Sequence, residues 1–492
     1  MRRYHRRMFR IIALVLCIAL PVRGFAEGLP DLGEVSQASL SPQLERKVGE
    51  QIMREIRQYE PGYLDDPDIT EYLNTLGYRL VSNSAEARQD FEFFVLRDHT
   101  LNAFAMPGGF IGVHTGLIAA SQSESELASV LGHEIGHVVQ RHLARQIGQQ
   151  AQMTLPIMVA MMIAILASRS NAQIGQAAVM AAQAASIQSQ LNYSREYERE
   201  ADRVGFQILR DAGFDVRAMP AFFERLQRYA RVYDNNAPAY LRTHPVTSER
   251  IADIGNRIQS VTYRQAPDSL EFNLVRAKLK AEQDQPREAA AAFAKELRDK
   301  TYPNQVAARY GLARALLRVK DVSGAQAEVD AIRKATAANK DLRSPMLESL
   351  AGQVRLAAGD TGGAIAGYAE ALKTYPKSKA LIYAHGEALL AGQRTGEAGV
   401  FVNSQLQIYP RDEKLYDLQA RVFLAQGKRL AHYRAVGELM ALRGNLPAAI
   451  DQYQFAQKSG DGDFFEQSGV DARLRELRRQ RQEEVKDLKQ PR

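Results

Sequence analysis

The chain has 492 residues, 45% hydrophobic and 25% charged, with 64 basic against 57 acidic side chains and a formal charge of +7. That length accommodates two to four domains of ordinary globular composition. A single cysteine, Cys17, excludes a small disulfide-stapled scaffold.

The N-terminus distorts those totals. "MRRYHRRMFR" is strongly basic, and the apolar run "IIALVLCIAL" has signal-peptide length, too short to span a bilayer comfortably. Gly24 and Ala26 put small residues at −3 and −1 of a cleavage site before Glu27. Residues 1–26 are therefore read as a removed secretory signal, the alternative being a retained anchor. "RRMF" hints at twin-arginine export, and the two export routes are not separated. Removing the segment takes away six arginines and lowers the formal charge from +7 to about +1. The pI near 9.2 is thus no footprint for nucleic acid. Cys17 leaves too, and it follows Leu16 rather than a small residue, so it is no lipid-attachment site. A thiol-free exported chain of this size suits a large periplasmic protein.

After a loose Gly- and Ser-containing stretch at 27–39, Ser41 to Tyr59 is amphipathic with helical period. "DPDITEYLNTLGYRLVSN" is a second helix, opened by Asp66 and Pro67. "DFEFFVLRD" alternates like a strand. In "NAFAMPGGFIGVHTGLI", Pro107-Gly108-Gly109 is a turn between two extended pieces. "SESELASVLGHEIGHVVQRHLARQI" is expected to be one long helix, with Ser123 as N-cap and Glu126 completing a capping box. "IMVAMMIAILA" and "AQIGQAAVMAAQAASIQSQL", parted by "SRSN", read as an apolar helical hairpin within an insertion at 150–190. It is either buried on the protein or in peripheral contact, through 153–185, with a membrane or a hydrophobic client. Neither arm reaches the roughly 20 residues needed to span.

From about residue 268 the texture turns to Ala-rich helices with a period. Gly352, Ala364, Tyr368 and Pro376 are echoed by Gly386, Ala398, Val402 and Pro410, with Ala364 to Ala398 and Pro376 to Pro410 each 34 residues apart. Gly437, Ala449 and Tyr453 form a further copy, and Ala289/Phe293 and Gly311/Ala325 weaker ones. The pattern resembles tetratricopeptide repeats, in which small residues admit paired helices and aromatics fill the gaps. An Ala-rich bundle is the alternative. The last twenty residues are expected to be a charged tail, either a solvated helix or disordered.

The chemistry concentrates in "HEIGH". His133 and His137 stand one helical turn apart, so both imidazoles leave the same face and can share one zinc ion. Glu134 adjoins the first ligand and is placed to take a proton from a zinc-activated water. His142, five residues past His137, leaves at another angle and is expected at the surface or behind the ligands. A catalytic zinc wants a third protein ligand. "NYSREYEREADRVGFQIL" offers Glu196, Glu198, Glu200 and Asp202, among which periodicity does not choose.

Together, "HEIGH" and "SREYEREAD" resemble the HtpX/CAAX-prenyl-protease type of zinc metallopeptidase, a gluzincin family. Its motif S-R-x-x-E-x-x-A-D implies Glu198 as a metal ligand and Asp202 as the partner of a ligating histidine. "NAFAMPGGFIGVHTGLI" matches the family's cleft-lining strand-turn-strand. That implies a substrate-binding edge strand built from Asn102, Ala103, Phe104, Gly108 and Gly109. "THPVTSERI" matches the family's T-H-P segment and implies His244 near the metal. From there it is a candidate inhibitory fourth ligand, the alternative being a residue behind the ligands or in contact with substrate. Arg195, His244 and Arg250 are candidates to stabilise an oxyanion. The integral-membrane relatives have spanning helices that this chain lacks.

The resulting expectation is a mainly α protein. Residues 27–265 form an α+β peptidase domain with a small sheet, 266–460 an all-α tetratricopeptide-repeat solenoid and 461–492 the tail. The arrangement resembles periplasmic protease–chaperones of Gram-negative bacteria. The resemblance implies one zinc ion per chain and endopeptidase action on unfolded or misassembled outer-membrane β-barrel proteins. It implies contact with the barrel-assembly machinery and with the lipopolysaccharide-export barrel. The rival reading is a chaperone or adaptor whose peptidase site is largely latent.

Overall fold

A computed structural model describes residues 41–84, 90–149, 195–232, 239–283, 285–337 and 339–489. The signal segment, the apolar hairpin and its membrane contact lie outside them.

Two helices open the described chain. Helix α1 (Pro42–Tyr59) starts at Ser41, whose hydroxyl accepts from the Leu44 N–H at 3.2 Å. Helix α2 (Pro67–Val81) starts at Asp66, whose carboxylate accepts from the N–H groups of Asp68 and Ile69. In both, proline fills the first turn, where its missing N–H costs nothing. The apolar stripe Val48, Ile52, Met53 and Ile56 of α1 packs on Phe94, Met106 and Phe110. The stripe Ile69, Leu73, Leu76 and Leu80 of α2 joins a larger core on the other side of the sheet strand residues Phe93 and Val95.

The sheet has three strands, β1 (Glu92–Leu96), β2 (Ala103–Met106) and β3 (Phe110–His114), in the order β1-β3-β2. β1 runs parallel to β3 and β2 antiparallel to it, which leaves β2 at an edge. The β2–β3 turn is the expected Pro107-Gly108-Gly109. Gly108 and Gly109 have φ of +77° and +86°, and a Cβ on Gly108 would lie 2.6 Å from the Arg46 Cα. Only glycine meets both conditions.

Helices α3 (Thr115–Ala120), α4 (Glu124–Val139), α5 (His142–Gln149), α6 (Arg195–Asp211), α7 (Ala218–Val232), α8 (Ala239–Thr243) and α9 (Ser248–Ile258) complete the described part of the mixed α+β region. The single long helix expected from Ser123 onward is two. The chain breaks at Arg141, which adopts φ +53°. A left-handed arginine costs about 1–2 kcal/mol. Its guanidinium offsets that by pairing with the buried Glu45 of α1.

The remaining helices are α10 (Leu270–Gln283), α11 (Pro286–Asp299), α12 (Gln305–Arg318), α13 (Val322–Ala337), α14 (Pro345–Ala357), α15 (Thr361–Thr374), α16 (Lys379–Ala391), α17 (Thr395–Ile408), α18 (Glu413–Ala425), α19 (Arg429–Leu442), α20 (Leu446–Gln457) and α21 (Phe464–Lys489). Each packs on the next, and α10, α12, α14, α16 and α18 also pack in a row. The helices α14, α16 and α18 start and stop at intervals of 34 residues, as do α15, α17 and α19. Ala364 and Ala398 are fully buried, and a Cβ on Gly352 would overlap the Tyr368 ring. Gly437 meets Tyr453 in the same way. This is the mainly α repeat architecture read from the period. The end of the chain is helical, one of the two states expected of the tail, but one stripe of it is not solvated. Val470, Leu474 and Leu477 bury one stripe of α21 against Leu446, Ile450 and Tyr453.

No helix among the described residues is long and apolar enough to cross a membrane.

Candidate metal centre

Helix α4 carries the centre. Ser123 accepts from the Glu126 N–H at 3.3 Å, and Glu126 reaches back to the Gln122 N–H at 2.6 Å, close to the expected capping box. The carboxylate of Glu126 also holds Arg225. Helix α6 crosses α4 at glycine distance. A Cβ on Gly136 would lie 2.9 Å from the Ala201 carbonyl oxygen, and one on Gly205 would lie 2.8 Å from the His133 nitrogen. This approach puts Glu198 and Asp202, one turn apart on α6, against His133 and His137, one turn apart on α4. The loop after α8 adds His244.

His133, His137, Glu198 and His244 converge, all buried, with one donor atom from each lying within 4.8 Å of the others. The Nε2 atoms of His133 and His137 are 3.0 Å apart. Glu198 places Oε2 3.5 Å from the former and Oε1 3.4 Å from the latter. His244 Nδ1 is 3.4 Å from His133 Nε2 and 3.0 Å from Glu198 Oε1. Ligands at the usual zinc–nitrogen length of about 2.05 Å form a tetrahedron with edges of about 3.3 Å. The measured separations straddle that edge. Three imidazoles and one carboxylate, buried this closely, fit a divalent cation.

Glu134 adjoins the cluster and is fully buried. Among the described residues, neither of its oxygens has a hydrogen-bond partner of ordinary geometry. His244 Nε2 lies 3.6 Å from its Oε1. The backbone of Ala105 on β2 approaches it as well, outside ordinary geometry. Burial raises its pKa above the usual carboxylate value, partly offset by His244 and His133.

Burial also opposes charge on His133, yet its hydrogen bonds to Asp202 and Glu198 outweigh that and lift its pKa to about 9. Burial drives His137 well below the usual imidazole range. Glu198 is held well below the usual carboxylate range because His244, His133 and His137 outweigh its desolvation.

Asp202 accepts at 2.9 Å from His133 Nδ1. It is itself gripped by Arg250, whose Nε and Nη2 donate to its two oxygens at 2.6 and 2.8 Å. Arg250 Nη1 donates to the Pro245 carbonyl at 2.7 Å and lies 2.7 Å from Glu198 Oε2. Arg250 thus ties Asp202 and Glu198 to the loop that carries His244. Arg195 lies at the exposed start of α6.

Asn102 is buried ahead of β2, with Nδ2 3.5 Å from His114 Nε2. Ala103 and Phe104 lie on β2, opposite Val113 and Gly112, while Gly108 and Gly109 turn the hairpin onto α1.

One residue near the centre escaped the sequence: Tyr240, which stacks on His244 with ring centroids 4.7 Å apart. His142, expected at the surface or behind the ligands, is completely buried behind His137, with Nδ1 2.8 Å from His137 Nδ1. Its signal was present as the histidine five after "HEIGH", but the break at Arg141 that aims it was not.

A model of Peptidase family M48 matches residues 67–258. The beta-barrel assembly-enhancing protease of Yersinia pestis is 32% identical over 455 residues, 92% of each chain. The chain belongs to peptidase family M48. The metallopeptidase resemblance read from "HEIGH" and "SREYEREAD" therefore holds, and this M48 peptidase is a metalloprotease. The Escherichia coli K12 protein of the same name is 32% identical over 456 residues, again 92% of each chain. A relative from Vibrio cholerae is 35% identical over 271 residues, 54% of this chain and 56% of its own length.

Proposed function

We propose that this M48 peptidase is a periplasmic zinc endopeptidase that serves outer-membrane β-barrel assembly and degrades misassembled clients. Residues 27–265 form its peptidase domain and residues 266–460 recruit clients or the assembly machinery. The observation that carries the catalytic part is the buried tetrahedral-edge spacing of His133, His137, Glu198 and His244. The barrel-assembly part rests on the relatives' names and on the match along 92% of the chain. An exported location rests on the signal read at residues 1–26.

His133, His137 and Glu198 would hold one zinc ion per chain. When bound, zinc polarises a scissile carbonyl and makes water more acidic. Glu134, buried beside it with both oxygens uncommitted, takes a proton from the attacking water. It then delivers that proton to the departing amide nitrogen as the carbon–nitrogen bond breaks. Edge strand β2 runs past Glu134 at Ala105 and is positioned to hold an extended substrate by β-addition. Such pairing reads backbone rather than side chains, which suits unfolded clients. Asp202 keeps His133 in the tautomer that presents Nε2.

As a fourth donor of the cluster, His244 would take the place an attacking water needs. In the resting enzyme it would be the inhibitory fourth ligand, released when its loop moves. This placement also favours the second reading, a chaperone or adaptor with a largely latent site.

Zinc content and casein hydrolysis discriminate. Ala at His133, His137 or Glu198 is expected to lose zinc, while Glu134→Gln keeps zinc and loses hydrolysis. His244→Ala keeps zinc and cleaves faster. A Glu134→Gln chain that hydrolyses casein at the parent rate would sink the catalytic assignment. Slower cleavage by His244→Ala would sink the inhibitory one.

A further inference from the structure

We propose that His142, backed by Glu200, is a positioning residue for His137. It accepts the Nδ1 proton of that ring and so keeps the Nε2 lone pair available to the metal. The proposal rests on the reading that His137 ligates zinc.

His142 Nδ1 faces His137 Nδ1 at 2.8 Å, and His142 Nε2 faces Glu200 Oε2 at 3.0 Å. The His142 ring lies flat on Tyr197, with centroids 4.6 Å apart and planes 11° from parallel. Arg145 donates to the same Glu200 oxygen at 3.0 Å and lies over the Tyr197 ring. The imidazole is thus fixed in both tilt and direction.

A neutral imidazole carries one proton and one free lone pair. Two ring nitrogens 2.8 Å apart need one proton between them, and there are two ways to supply it. If His137 supplies it from Nδ1, His142 accepts at Nδ1 and its own proton sits on Nε2, pointing at Glu200. His137 Nε2 is then a bare lone pair. If His142 supplies it, His142 Nε2 presents a lone pair to a carboxylate oxygen, which is also an acceptor. His137 must then carry its proton on Nε2, the atom that faces His133 and Glu198. An ionised carboxylate only accepts. Glu200 therefore selects the first arrangement across two rings, without touching a metal ligand.

His133 is set by a carboxylate directly, through Asp202 Oδ1 at 2.9 Å. His137 is set by a carboxylate through an intervening imidazole. The break at Arg141 is what permits this. On one continuous helix, a residue five positions on points about 140° away. The left-handed turn at Arg141 swings His142 back beneath His137.

The test uses the full-length chain, with zinc affinity measured by competition against a chromophoric chelator. His142→Phe keeps a flat ring on Tyr197 but removes the acceptor. Its zinc dissociation constant is expected to rise roughly 10- to 100-fold. In the zinc-free protein, the ring nitrogen shifts of His137 are expected to report the Nδ1–H tautomer in the parent and a mixture in the variant. A packing role alone would not move them. Glu200→Ala is expected to weaken zinc several-fold, and Glu200→Gln, whose amide oxygen still accepts, to recover most of it. A folded His142→Phe chain with affinity within twofold of the parent would overturn the proposal. Should that variant fail to fold, Glu200→Ala decides, since its site is part-exposed, and unchanged affinity there overturns the proposal as well. A parent chain that binds no zinc, or a His137→Ala chain that keeps it, would remove the metal reading and this proposal together.

Discussion

Arg141 shows how one residue in an unfavourable conformation can set a site. Its φ of +53° ends α4 one residue after the cap, and its guanidinium meets Glu45, 96 positions earlier. Two separable costs follow from substitution. Arg141→Ala leaves Glu45 buried without its cation and keeps a side chain in the left-handed region, and is expected to lose roughly 2–4 kcal/mol. Arg141→Gly removes the same pair but relieves the backbone, recovering about 1 kcal/mol. Denaturant melts of the two variants check the difference, and equal losses would mean that the backbone carries no strain. His385 makes a second residue-scale test. It is buried on α16 with its ring edge-on to Phe401, and burial, with Arg394 nearby, holds its pKa below the ordinary 6.5. The unfolded chain therefore binds more protons below pH 6.5 than the folded one does. The neutral ring's contribution is complete above about 6.5 and declines as pH falls toward the folded value, by at most about 1.4 kcal/mol per pH unit. His385→Leu is expected to flatten the stability profile between pH 6.5 and 5, measured by melts across that range.

At the scale of elements, the decisive contact is the crossing of α4 and α6. Gly136 and Gly205 each face backbone of the other helix closer than a Cβ tolerates. Gly136→Ala or Gly205→Ala is expected to cost about 1–3 kcal/mol by overpacking. Because the same shift moves Glu198 away from His133 and His137, zinc affinity should fall alongside the melting temperature. A variant that loses stability but binds zinc like the parent would show that the crossing distance does not set the site. This crossing explains what sequence could and could not deliver. The pair His133 and His137 was legible because one helical turn is a local rule. The choice of Glu198 among four acidic residues was not legible from period, since it depends on which face of α6 meets α4. That face is fixed by the small residues Ala201 and Gly205, and only the family motif stood in for the contact. The break at Arg141 was hidden for a similar reason, because its compensation comes from α1. In α21 the apolar stripe Val470, Leu474 and Leu477 was present at helical spacing. Five arginines between 473 and 481 masked it as a solvated tail. The 34-residue period, by contrast, showed plainly because each repeat solves the same packing problem with its immediate neighbours.

Across the whole molecule, the peptidase part and the repeats share a buried ion cluster. Lys278 of α10 lies 2.7 Å from both Asp66 and Asp68, at the start of α2. Lys278→Met leaves the buried Asp68 and the half-buried Asp66 facing each other without their cation and is expected to cost about 3–5 kcal/mol in denaturant melts. Combining it with Asp66→Asn and Asp68→Asn removes both charges while keeping a capping side chain, and should restore most of that loss. A triple variant no more stable than Lys278→Met would show that the lysine acts by packing. Zinc should also register globally. At a free concentration 100-fold above its dissociation constant it adds about 2.7 kcal/mol, so chelation is expected to lower the melting temperature of the parent but not that of His133→Ala.

The contacts around α2 continue along the array. The Glu71 carboxylate accepts from the Lys379 N–H at the start of α16, and Lys414 of α18 lies 2.9 Å from Asp65. Farther along, Arg54 of α1 packs against Gly444. The repeats thus hold a tenant supplied by their own polypeptide, tethered at high local concentration. A foreign chain docking on those residues of α16 and α18 must compete with that tenant, and the competition is reciprocal. A guest that weakens the tenant's hold tenfold is itself held tenfold less tightly than it would be by the vacant array.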